Sequence, residues 1–449
     1  MEVLSLIGIV LGLALLIFLA FKGHSIIWVA PACALLVALM SGKNVLDLYL
    51  KDYMSGMAGF VLSWFPAFFL SAVFGKLMDA TGSARSLANK IVSLIGPRFA
   101  LLAVILPCIL MTYGGISLFV VVFVIYPMGY EIFKQANLPR NLLPGVIAYG
   151  AFGITMTAIP GSPQIQNLIP TTYYGTTAMA APLMSLIAVI LIAVPGYLYL
   201  DWRVRKAKAQ GLVFIEDPNF KEPDIGDKDK ISSWHWLSGL LPLIVVVVVL
   251  NALPPILQSL LNFNLESTHS IVIALFAGIV VVSLMNIKRA KVIMPSINDG
   301  ANSSLIAIMN TAAAVGFGSV VKAVPGFDLL VNAMLGMSGS ILFAEAIAIN
   351  VLAGATGSAS GGMTIALEAL AENFMAKAEA INLNPEYLHR IASLASGGLD
   401  TLPHNGAVLT LLSVSNCSHK ESYWDICVTS CIIPVVMSIA LSLVWGLFI

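Results

Sequence analysis

Between Ser396 and Ala407 the chain reads SGGLDTLPHNGA, which sets an acid, a proline and a histidine inside a long apolar run. Asp400 and His404 stand on either side of Pro403. A histidine beside a carboxylate exchanges protons near neutral pH, so the chemistry on offer is proton uptake and release. The bland alternative is an acid that caps its neighbour's backbone. A bilayer tolerates broken helix and ionisable side chains only where protein or a water-filled cavity surrounds them, which marks this stretch as a candidate functional site.

Three further polar tracts interrupt apolar runs. PGSPQIQN at 160–167 carries no charge but offers Ser162, Gln164, Gln166 and Asn167, with Thr155 and Thr157 just before it. TYGGIS at 112–117 and TGSASGG at 356–362 are rich in small residues, whose backbone can approach a ligand closely. Close helix packing through small residues is the competing reading for any one glycine. Helix halves that end at membrane depth present unsatisfied N–H groups and a positive dipole end, which suits a carboxylate, while freed carbonyls suit a cation. The four tracts are therefore expected to converge on one solute. At the tips the expected contacts are Tyr113, Gly114, Gly115 and Ser117, then Ser358, Ser360 and Gly361. At the breaks they are Ser162, Gln164 and Asn167, then Thr401, His404 and Asn405. Asp400, His404 and Glu368 are the expected proton-coupling groups, and Glu345 lies on the far side of the same tip.

The elements that must position these residues are membrane spans. Of 449 residues 59% are hydrophobic and 10% charged, with a mean hydropathy of +0.93, well outside the range of soluble domains. The net charge of zero says nothing about nucleic acid, but no basic run is interleaved with aromatics as a nucleic-acid surface would need, so that partner is not expected. Cys33, Cys108, Cys417, Cys427 and Cys431 have no metal-ligand spacing, so neither a metal nor another cofactor is expected. The first apolar run has no basic segment before it and reads as a retained span.

Runs near the length of about 20 residues needed to cross a bilayer lie at 3–21, 26–42, 57–78, 177–200, 236–253, 268–286, 299–322 and 424–448. The segments 142–174 and 387–416 are long enough but broken midway, and read as discontinuous helices. In 99–130 and 339–375 each half is too short to cross alone, which predicts re-entrant hairpins. The expected fold is an all-α polytopic membrane protein with about ten transmembrane spans and two re-entrant hairpins. With both termini outside, 18 of the 23 Lys and Arg residues fall in the cytoplasm, leaving Lys43, Lys51, Lys322, Lys377 and Arg390 outside. The first hairpin then opens inward and the second outward.

The segment 201–235 reads as a charged cytoplasmic linker between 1–200 and 236–449. On either side stands the same series of three spans, hairpin, broken span and final span. NLPRNLLPGVIAYGAFGITMTAIPGSPQ (137–164) resembles NLNPEYLHRIASLASGGLDTLPHNGA (382–407). Five crossings per half make the copies two inverted repeats, a mark of secondary transporters.

Through the tracts TGSASGG, GLDTLPHNG and IPGSPQ, and the order of elements over nearly its whole length, the chain resembles the gluconate permease (GntP) family of the ion transporter superfamily. The resemblance implies a proton symporter for a small organic acid anion, a hydroxy-monocarboxylate such as gluconate or 3-hydroxybutyrate. It further implies a homodimer in the inner (cytoplasmic) membrane and an elevator mechanism. The amphipathic segments Asp79 to Arg98 and Val324 to Gly339 would be its connecting arms. Sodium is the alternative coupling ion, because serine- and glycine-rich tips supply carbonyls that suit a cation.

Membrane enzymes fit less well. A serine protease of this kind needs Gly-x-Ser-Gly, but Ser358, Ala359 and Ser360 precede Gly361. An aspartyl protease needs two deep aspartates, and only Asp400 lies deep. Neither HExxH nor GxxxxGK[ST] occurs. A channel would be told apart by uptake that neither saturates nor concentrates solute.

Overall fold

The computed structural model describes residues 2–447 except 23, 117, 219, 221–234, 264, 330–339 and 404. All regular structure among them is helical. The first half runs α1 (Glu2–Phe21), α2 (Ile26–Ser41), α3 (Val45–Ala80), α4 (Ser83–Ile95), α5 (Ala100–Tyr113), α6 (Leu118–Gln135), α7 (Leu143–Ala148), α8 (Ile165–Tyr174) and α9 (Pro182–Ala209). The second runs α10 (Trp236–Leu261), α11 (Ser267–Met285), α12 (Ala290–Ala323), α13 (Ile341–Thr356), α14 (Ala359–Ala380), α15 (Pro385–Ser396), α16 (Gly406–Val414) and α17 (His419–Leu447). Three long helices, a hairpin, a broken helix and a closing helix follow one another in both halves.

Among the described residues six helices are long and apolar enough to cross a membrane, contained in Val45–Ala80, Pro182–Ala209, Trp236–Leu261, Ser267–Met285, Ile287–Ala323 and His419–Leu447. The pair Ser83–Ile95 and Pro97–Tyr113, bent by 96°, makes a seventh if taken as one span. The expectation of ten is thus met only in part. Both broken segments lack a continuous helix, and the apolar lengths Glu2–Leu16 and Ile26–Ser41 fall short of a full crossing.

Local chemistry explains the boundaries. Gly96 (φ +73°) and Pro97 turn the amphipathic arm α4 into the first hairpin. Ser340 caps α13, Asn384 caps α15 and Asn405 caps α16, each accepting from a backbone N–H in the first turn. Of the second expected arm, 330–339 lies outside the described residues.

The centre is built on α3 packed along α12, with small residues at the crossing. A Cβ on Gly300 would lie 2.6 Å from Val73 Cα, so the glycine lets the two backbones meet. The arms of the second hairpin are closer still, since a Cβ on Gly362 would lie 2.2 Å from Ala353 Cα and N. Gly362→Ala is expected to force α13 and α14 apart at a cost of about 1–3 kcal/mol, read as a lower unfolding temperature in detergent.

Residues 201–209 extend α9, and 212–218 with Phe220 form a strap docked on the end of α6. Phe220 stacks on Tyr130 with ring centroids 3.8 Å apart. The Tyr130 hydroxyl accepts from the Asp217 amide at 2.9 Å, and Arg140 donates to both the Asp217 carboxylate (2.7 Å) and the Ser415 carbonyl (3.0 Å).

Candidate functional site

The first tip and the first break meet directly. After α5 the chain turns through Gly115, whose φ of +94° favours glycine, and a Cβ there would sit 3.1 Å from Pro163 Cγ. Gln164 Nε2 donates to the Thr112 carbonyl at 2.6 Å, and the Tyr113 hydroxyl to the Pro160 carbonyl at 3.3 Å. Carbonyls freed by the end of each helical segment thus receive side chains from the other. Gly114 faces elsewhere. A Cβ on it would meet Leu243 of α10 at 2.4 Å, so its missing side chain admits a neighbouring helix.

The second tip and break meet in the same way. Asn405 Oδ1 accepts from the Ala407 and Val408 amides (2.7 and 3.0 Å) while its Nδ2 donates to the Gly357 carbonyl at 3.0 Å. Ser358 caps α14 by accepting from the Gly361 amide at 3.1 Å. The two breaks also touch. Ser393 Oγ donates to the Thr157 carbonyl at 2.8 Å, and a Cβ on Gly397 would lie 2.6 Å from Thr157 Cγ2. One cluster therefore joins all four tracts.

Several residues expected at the solute also help to hold this cluster. Asn167 is fully buried; its Nδ2 donates to the Ser162 and Ala178 carbonyls (2.9 Å each) and its Oδ1 accepts from Arg390 Nη1 at 3.0 Å. Thr401 Oγ1 donates to the Ser430 carbonyl at 2.7 Å. Ser162, also buried, accepts from the Gln164 amide at 3.2 Å. Ser360 is half-buried, and Ser117 and His404 lie outside the described residues.

Unpaired polar atoms gather at the same place. Among the described residues, buried side-chain atoms without a hydrogen-bond partner include Thr112 Oγ1 at the first tip and Thr157 Oγ1 and Gln166 Oε1 at the first break. Asn350 Oδ1 on α13 and Asp400 Oδ1 at the second break join them. Each unmade bond costs about 1–3 kcal/mol, so a buried group of this kind calls for a partner such as a water, an ion or a ligand. Asp400 is 3% exposed and lies beside the Thr401 amide, Tyr423 and Cys431.

Glu368 stands apart from the tips. It lines a cavity of about 680 Å³ between α3 and α12 on one side and α8 and α14 on the other, with Lys51, Asp52, Trp64, Tyr173 and Lys322. Tyr173 donates to Glu368 Oε2 at 3.1 Å, and the next residue, Tyr174, donates to Glu345 on α13. A second groove of about 350 Å³, between α4 and α6, holds Arg85 and Glu131 and is lined by none of the four tracts.

Sequence reasoning missed Arg390, which it counted among cations outside the membrane. The residue is fully buried, donating to the Ala180 carbonyl at 2.9 and 3.3 Å as well as to Asn167. Next to it, His389 is also fully buried, with Nδ1 2.6 Å from Thr176 Oγ1. The available signal was position: Arg390 lies one helical turn before Ser393, on the face that meets the first break.

Residues 146–447, from α7 to the end of α17, match the Na+/H+ antiporter family. The chain belongs to that family. It is a multi-pass membrane protein and a secondary transporter of the Na+/H+ antiporter family, not an enzyme. The uncharacterized transporter YxjC of Bacillus subtilis (strain 168) is 40% identical to it over 449 residues, covering 94% of this chain and 95% of that protein. The fold is similar to the crystal structure of the Alcanivorax borkumensis YdaH transporter, described as having an unusual topology. That match has a TM-score of 0.61 at 12% identity and covers 90% of this chain and 88% of the other. Nothing in these matches identifies the chain with the gluconate permease family, so membership rests with the antiporter family.

Proposed function

We propose that this transporter moves a small organic acid anion, a hydroxy-monocarboxylate such as gluconate or 3-hydroxybutyrate, inward together with protons. The observation that carries the reading is the convergence of two hairpin tips on two helix breaks, with unpaired polar atoms at the junction. At that junction the N-terminus of α8 has no side-chain cap, which leaves its N–H groups and positive dipole end for a carboxylate. The gluconate permease resemblance supports the solute class, and the recurring element order supports two inverted repeats at 1–200 and 236–449. In this reading the protein is a homodimer in the inner membrane with both termini outside. Hairpins and broken helices move against the long spans as an elevator, and Asp400 is the coupling group.

Sodium-for-proton exchange is the second reading, favoured by the family and by two buried acids, Asp400 and Glu345, with no ion-pair partner among the described residues. Uptake of labelled short hydroxy acids into proteoliposomes, with pH and sodium gradients imposed separately, decides between them. Saturable, pH-driven accumulation of one acid is expected; sodium-driven proton movement with no acid transported would overturn the proposal.

Alanine at Ser162, Gln164, Ser360 or Asn405 is expected to raise the apparent KM about tenfold, the loss of one hydrogen bond near 1.4 kcal/mol, with folded protein retained. Unchanged kinetics in all four would place the solute elsewhere.

A further inference from the structure

Glu345 is the group the transport reading leaves without a role. It sits in the second turn of α13, the first arm of the second hairpin, and is 0% exposed. One carboxyl oxygen accepts from the Tyr174 hydroxyl and the other, Oε2, has no partner among the described residues. The elements packed against α13 bring Glu2 on α1, Glu368, Glu372, Lys377 and Glu379 on α14, Glu386, His389 and Arg390 on α15, and Asp400 beyond them; α17 brings no titratable group from 433 to 447. Of these groups none pairs with Glu345: Arg390 is turned to Asn167, Ala178 and Ala180, Glu386 to the Ala181 amide, and Glu368 to Tyr173.

A bare carboxylate in this setting would be a buried charge with a single donor and no cation, whereas a carboxyl group leaves only one unpaired hydroxyl. The second costs far less than the first. Tyr174 gives its proton to Oε1, so the proton of the acid belongs on Oε2, the atom without a partner. The adjacent Tyr173 holds Glu368 at the wall of the 680 Å³ cavity. Consecutive tyrosines of α8 thus bind one acid on each arm of the second hairpin, one facing the cavity and one deep within the protein.

We infer that Glu345 is a second proton-binding acid of this transporter, protonated in the conformation described and filled from the cavity by way of Glu368. A proton delivered by hydronium moves to the Glu345 carboxylate and leaves water behind; its departure exposes a charge that Tyr174 alone cannot hold, and so favours separation of hairpin and α8. This rests on the reading that the protein couples transport to protons.

The test joins infrared spectroscopy to proton flux in full-length protein. Purified protein titrated with acid and base should show an un-ionised carboxyl band that Glu345→Gln removes and Tyr174→Phe moves to a different midpoint pH. In pyranine-loaded proteoliposomes under an imposed sodium or pH gradient, Glu345→Gln should slow proton movement at least tenfold and Glu368→Gln about threefold. A band unchanged in Glu345→Gln, or wild-type proton flux in that variant, overturns the inference. If Glu345→Gln does not fold, an unmoved band in Tyr174→Phe overturns it equally. Wild-type protein that moves no protons under any gradient defeats the transport reading, while the band still reports whether Glu345 carries a proton.

Discussion

Arg390→Ala is expected to destabilise the folded protein by roughly 3–5 kcal/mol, the usual cost of removing one side of a buried charged network. The guanidinium joins α15, which leads into the second break, to Asn167 and to the carbonyls that follow the first break. Without it the Ala180 carbonyl loses both of its guanidinium donors and Asn167 Oδ1 one of its contacts, all in the protein interior. Arg390→Lys should recover little, because an ammonium cannot repeat the planar fork that reaches Asn167 and Ala180 together. Thermal unfolding in detergent checks both, and a lysine variant as stable as the parent would show that charge alone suffices.

The largest functional effect is expected at Asp400. Moving a monocarboxylate inward against a negative-inside potential is uphill by about 2.3 kcal/mol per 100 mV, and one accompanying proton cancels that charge. Asp400→Asn keeps the shape and removes titration. Its accumulation of solute should fall about fifty-fold at 100 mV, the equivalent of that energy, while exchange of labelled for unlabelled solute across the membrane continues. Full pH-driven accumulation in the variant would remove Asp400 as the coupling group and leave Glu368 or a sodium site in its place.

Where composition and helix punctuation decide the structure, the sequence was a good guide. Both hairpins, both breaks and the first amphipathic arm lie where Gly, Pro and polar residues interrupt apolar runs. The meeting of tips and breaks followed from pairing the two halves. What could not be read was burial. Arg390 and His389 sit in a helix that looks amphipathic, and a lipid-facing or water-facing side cannot be told from a protein-facing one when the partner is another polar tract. Asn167 and Thr401 have local partners in the Ser162 and Gly398 carbonyls, but they also bind groups that no local pattern reveals. Those distant partners, Arg390 and the Ser430 carbonyl, come from 223 and 29 residues along the chain. The span count was met only in part for a related reason, since helices supported by neighbours need not cross the bilayer alone.

The strap sets a length. It is fixed to the end of α6 and, through Arg140, to the Ser415 carbonyl after α16, so on that face it ties the first hairpin to the second broken helix. Between the end of α9 at Ala209 and the first anchor, where the Phe214 amide donates to Asn137, only residues 210–213 remain. Four residues of extended chain reach about 14 Å. That reach is the greatest distance at which the Phe214 anchor can stand from the end of α9 while the strap stays docked.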